Sequence, residues 1–85
     1  MRVQVRYFAS LRESLGVESE VIDLPEAVVT ADALRAWLAA RGGVWAEHLA
    51  PGRPVRVAVA QRMAQPGTAL SEGQEVAFFP PVTGG

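Results

Sequence analysis

Three runs of two-residue apolar alternation, Val3-Val5-Tyr7, Val55-Val57-Val59 and Val76-Phe78, surround one run of helical period, Leu34-Trp37-Leu38. Side chains alternate across a strand but return to one face every three or four residues on a helix, so the pattern predicts strands near both ends and a helix between them. Met1 to Phe8 puts Val3, Val5 and Tyr7 on the core side and Arg2, Gln4 and Arg6 on the other. Glu18 to Leu24 is a second strand with Glu20, Ile22 and Leu24 on one face and Val21 and Asp23 on the other, and Pro25-Glu26 breaks it.

Local signals set the remaining boundaries. Ser10 is placed to cap a short turn over Leu11 to Leu15, which Gly16 ends. Thr30 is a stronger N-cap, with Asp32 in the following turn where a negative charge complements the helix dipole. The stripe of Leu34, Trp37 and Leu38, with Arg41 one turn on, packs against the strands, and Gly42-Gly43 stops the helix. Val44 to Leu49 is too short to classify, a helical turn being one option. Pro51-Gly52 and Pro54 bracket a loop, Gln61 to Ala64 continues the third strand or begins a short partner, and Glu75 to Phe79 is the last strand.

Composition narrows the classes of function. The hydrophobic share of 49% and charged share of 20% over 85 residues suit one small globular domain. There is no cysteine, so no disulfide, thiolate metal site or catalytic thiol can form, and the lone His48 cannot hold a metal by itself. His48 and Trp37 are expected to pack, not to react. Eight arginines against nine acids leave a net charge of -1 with no basic cluster, which disfavours nucleic acid. No run approaches the roughly 18 apolar residues that span a bilayer, and without an apolar signal core near Met1 the expected location is cytoplasmic.

The order strand, strand, helix, strand, strand predicts a mixed α+β sheet of four to five strands with one main helix across it. That is the order of the ubiquitin-like β-grasp fold, and a ferredoxin-like sheet remains open on order alone. The expected division is a domain over 1–79 and an extended tail over 80–85. Pro80-Pro81 stiffens the base of the tail, and six extended residues reach at most about 20 Å. Gly84-Gly85 then supplies an unhindered carboxylate, ionised at neutral pH, that can attack an activated phosphate, the alternative on composition being an ordinary frayed end. With no cysteine, the terminus is where this chain could carry sulfur.

Two segments carry a specific resemblance. Tyr7-Phe8-Ala9-Ser10-Leu11-Arg12-Glu13 followed by Gly16, and the run from Leu70 through Phe78-Phe79-Pro80-Pro81-Val82-Thr83-Gly84-Gly85, resemble the small-subunit family of molybdopterin synthase. The resemblance implies a β-grasp sulfur carrier in molybdenum cofactor biosynthesis, itself non-catalytic. An E1-like adenylyltransferase would activate Gly85 with ATP, and a thiocarboxylate formed there would donate sulfur to cyclic pyranopterin monophosphate. The reaction would take place on a large subunit, in a heterotetramer. The chain would bind no cofactor. Ala60-Gln61 departs from the Asn-Gln that the family often has.

Alternation also predicts a docking surface. If Tyr7 and Phe78 face the core, Phe8 and Phe79 point the other way. The resemblance places Met63 with them, joined by Pro80, Pro81, Val82 and Thr83 as partner-binding residues, and Arg12 matches a family position. Alternatives are a related carrier for thiamin, cysteine or tRNA thiolation, and a ubiquitin-like modifier or binding module.

Overall fold

The computed structural model describes residues 1–81. The chain runs β1 (Arg2–Tyr7), α1 (Ala9–Leu15), β2 (Ser19–Asp23), α2 (Ala31–Ala39), α3 (Gly43–Leu49), β3 (Arg56–Val59), β4 (Arg62–Met63) and β5 (Glu75–Phe79). The strands form one mixed sheet in the order β2-β1-β5-β3-β4. Strand β1 lies parallel to β5, and the other neighbours are antiparallel. The first and last strands are thus side by side at the centre.

The apolar alternation explains where the core sits. Val3, Val5, Tyr7, Val76 and Phe78 are at most 1% exposed, and they meet Leu11 and Leu15 of α1, Leu34 and Leu38 of α2 and Leu49 of α3. Each such side chain contributes roughly 1.5 to 3 kcal/mol by leaving water. Thr30 caps α2 as expected, its Oγ1 accepting from the Ala33 amide at 3.3 Å. Gly16 ends α1 in the left-handed conformation, with φ of 74°.

Two expectations need correction. The described residues hold three helices, not one main helix, because Gly42-Gly43 is a joint: α2 ends at Ala39, Gly42 takes a φ of 81°, and α3 starts at Gly43. Ser10 does not cap α1. The helix begins at Ala9, and the backbone carbonyl of Phe8 closes its first turn by accepting from the amides of Leu11 (3.1 Å) and Arg12 (3.4 Å), so no side-chain cap is used. Trp37 packs against the core as expected while staying half-buried, with the Arg41 guanidinium 5.5 Å from its ring centre.

Two polar clusters hold the elements together, one at the sheet and one between α2 and the end of α3. Glu20 lies on the same face of β2 as the buried Ile22, and it is satisfied by the Tyr7 hydroxyl, which donates at 2.8 Å, and by Arg41, which donates from both Nη atoms at 3.0 and 2.9 Å. Arg35 of α2 donates to the carbonyls of Leu49, Ala50 and Arg53 at 2.8, 2.9 and 2.8 Å. Those bonds satisfy the end of α3 and hold the loop that leads into β3.

Candidate docking face

All three helices contribute to the core cluster on one side of the sheet, and the opposite side presents the alternate residues of the same strands. Paired residues in a sheet share a face, so the register defines a row on that open side: Arg6 beside Ala77, Ala77 beside Ala58, and Ala58 beside Met63. In the next row Phe79 lies opposite Arg56. Phe8 continues the extended backbone of β1, with φ of -122° and ψ of 155°, and its amide donates to the Phe78 carbonyl at 3.1 Å. The Arg6 guanidinium sits 5.3 Å from the Phe8 ring centre, which puts Phe8 on the open side.

The structure therefore gathers Phe8, Met63 and Phe79, drawn from both ends and the middle of the sequence, onto one face. Met63 is 52% exposed and Phe8 38% exposed, while Phe79 is half-buried. Pro80 and Pro81 follow β5 directly and are half-buried outside any regular element. Val82, Thr83, Gly84 and Gly85 lie outside the described residues. Arg12 is exposed on α1. His48 is half-buried, its Nε2 4.0 Å from Glu47. Among the described residues, no group of three His, Asp or Glu side chains is placed to hold a metal.

The face is backed by a buried aromatic layer. Tyr7 and Phe78, the neighbours of Phe8 and Phe79 in sequence, stack with ring centres 6.0 Å apart, and Trp45 meets Tyr7 edge-on at 5.4 Å. Burial first, and then the hydrogen bond to Glu20, raise the Tyr7 hydroxyl above its usual pKa, so it stays a neutral donor. Partial burial pushes Glu20 up, but hydrogen bonds from Arg41 and Tyr7 outweigh it and hold the carboxyl below its ordinary value.

The turn that presents Met63 is strained. Val59 pairs with Arg62, leaving Ala60 and Gln61 as a two-residue hairpin turn with φ of 50° and 67°. Such turns need both central residues left-handed, a conformation that suits Asn-Gly better than Ala-Gln. Ala9, directly after Phe8, also has a positive φ of 52°.

Sequence reasoning passed over two residues of this face. Val21 is 64% exposed and shares the face with Gln4, its partner in β1. Arg56 interrupts Val55 and Val57, and that alternation was the available signal, since the residue between two core-facing valines must point away. Beside this edge lies a pocket of about 320 Å³ between α2 and the β3–β4 hairpin, bordered by Arg56, Met63, Val57 and Asp32.

A mixed sheet in this order, with helices on one face and an exposed aromatic and methionine patch on the other, defines a β-grasp domain with one helix-free face. The ThiS family pattern matches residues 5–85, and the chain belongs to that family. It is 42% identical over 83 residues, covering 98% of this chain and 99% of its counterpart, to a Haemophilus influenzae protein described as a molybdopterin synthase sulfur carrier subunit. A Pyrococcus furiosus structure described as a molybdopterin converting factor, subunit 1, superposes with a TM-score of 0.80 at 31% identity, covering 96% of this chain and 99% of that one. A Helicobacter pylori complex of subunits 1 and 2 of molybdopterin-converting factor contains a chain that matches with a TM-score of 0.69 at 27% identity, each covered in full.

Proposed function

We infer that this chain is the sulfur carrier subunit of a molybdopterin synthase. One observation carries the inference: the Pro80-Pro81-Val82-Thr83-Gly84-Gly85 segment follows directly from β5, whose last residue, Phe79, shares the helix-free face with Phe8 and Met63. A partner seated on that face stands where the tail departs. The sulfur carrier relative and the solved complex of subunits 1 and 2 support the same reading.

In this reading the Gly85 carboxylate attacks the α-phosphorus of ATP on an E1-like adenylyltransferase, pyrophosphate leaves, and an acyl adenylate forms. The outer sulfur of a donor persulfide displaces AMP to give an acyl disulfide, and a second thiolate of the sulfur-transfer system attacks the donor sulfur, forming a disulfide with it and releasing the thiocarboxylate. Phe8, Met63 and Phe79 dock on the large subunit, and Pro80-Pro81 limits the conformations that threading must freeze out. Gly84 and Gly85 pass where a side chain would clash, and the sulfur goes to cyclic pyranopterin monophosphate in the large subunit's active site. The setting is the cytoplasm, and the assembly is a heterotetramer of two small and two large subunits.

Intact mass analysis of protein made alongside the activating enzymes tests this. Replacement of one oxygen by sulfur, localised to Gly85, is expected. An unmodified terminus with those enzymes present, or molybdopterin formation by a chain lacking Gly85, would refute it. An isopeptide from Gly85 to a target lysine would instead identify a modifier, and sulfur delivery to a thiamin or tRNA acceptor in preference to the pterin would identify a related carrier.

A further inference from the structure

We propose that Arg56 is a specificity-determining residue of the docking face, and that the protein covering Phe8, Met63 and Phe79 brings a carboxylate to it. The proposal rests on the docking reading above. The β3–β5 register sets Arg56 opposite Phe79, at the point where the tail begins, and its side chain is exposed. Its neighbours on the face are apolar: Ala58 two residues along β3, then Met63 on β4.

The other arginines of this face are already engaged. Arg2 pairs with Asp23 at 3.0 Å, and Arg6 approaches Glu75 at 3.8 Å while lying over the Phe8 ring. Among the described residues Arg56 has no carboxylate within 4.0 Å, and Asp32, which borders the same pocket, is beyond that range. In the free protein water solvates this guanidinium. A partner that covers the apolar patch removes the water, and an uncompensated charge in a dry interface opposes binding. A carboxylate facing Arg56 restores two parallel charge-assisted hydrogen bonds, which the flat guanidinium fork accommodates better than an ammonium would. A lone cation among apolar residues on a chain of net charge -1 does not make a nucleic-acid surface.

The test is a calorimetric titration of the full chain against the large synthase subunit at low and moderate salt. Arg56→Ala is expected to bind about 10- to 100-fold more weakly and to lose part of the salt dependence, as deletion of an interfacial charge pair does. Arg56→Glu should bind more weakly still, and Arg56→Lys should recover part of the loss. Phe79→Ala and Met63→Glu report on the docking face separately. If those two weaken binding while Arg56→Ala matches the unsubstituted chain, the role of Arg56 is wrong and the docking face stands. If all three bind unchanged, both fall. Tighter binding by Arg56→Glu, or normal binding with slowed turnover of the phosphorylated pterin, would also overturn the proposal, the latter assigning Arg56 to the substrate phosphate.

Discussion

Two faces of one sheet divide the work in this molecule. On one, Val3, Val5, Tyr7, Val76 and Phe78 are sealed beneath the helices; on the other, Phe8, Met63 and Arg56 stand in water although they belong to the same strands or adjoin them. Neighbouring residues therefore have opposite surroundings. Phe78 is sealed in the core and Phe79, one peptide bond later, lies on the helix-free face where the proposed partner docks, because consecutive side chains of a strand leave on opposite sides. Burial on the first face also serves the second, since the stacked Tyr7 and Phe78 rings fix the backbone from which Phe8 and Phe79 project.

The sharpest way to break this division is to truncate both phenylalanines. Phe78→Ala should destabilise the fold by about 3 to 5 kcal/mol in urea unfolding, the cost of an unfilled core site. Phe79→Ala should cost under roughly 1 kcal/mol of stability yet weaken large-subunit binding by about 2 kcal/mol, the range of an interface hot spot. Equal destabilisation by the two substitutions would show that both faces are core.

Smaller effects probe what holds the faces in place. Arg41→Ala should cost about 1 kcal/mol, since it leaves Glu20 with only the Tyr7 hydroxyl. Glu20 has a lowered pKa in the folded protein, so its contribution is present above its unfolded value and is lost as pH falls through the folded value. Urea midpoints measured down an acid series should show this component, and it should vanish in Glu20→Gln. A midpoint that rises as pH falls through that window would reverse the sign and refute the pairing. The smallest effect belongs to the hairpin: Ala60→Asn should raise stability by less than about 1 kcal/mol, because Asn tolerates the left-handed φ that Ala resists. Its binding to the large subunit should not change.

Much of this was legible without coordinates. The faces of β1, β3 and β5, the Thr30 cap and the Gly16 stop follow from periodicity and local chemistry, which act within a few residues. The start of α1 at Ala9, two residues before the expected turn, escaped because its first turn is closed by a backbone carbonyl, which no residue type announces. The Gly42-Gly43 joint escaped because glycine ends one helix as readily as it permits the start of another.

The amino-acid sequence by itself determined which residues share a face, and so that Phe8 and Phe79 would face away from the core. Only the tertiary structure decided that they would become neighbours: the parallel pairing of β1 with β5 joins the two ends of the domain, and β3 and β4 bring Arg56 and Met63 beside them. The same holds for Glu20 meeting Arg41 and Tyr7, and for Arg35 meeting three carbonyls. Alternation is a local property of each strand, whereas strand order is settled by which arrangement buries all the apolar faces at once, and that can be evaluated only over the whole chain.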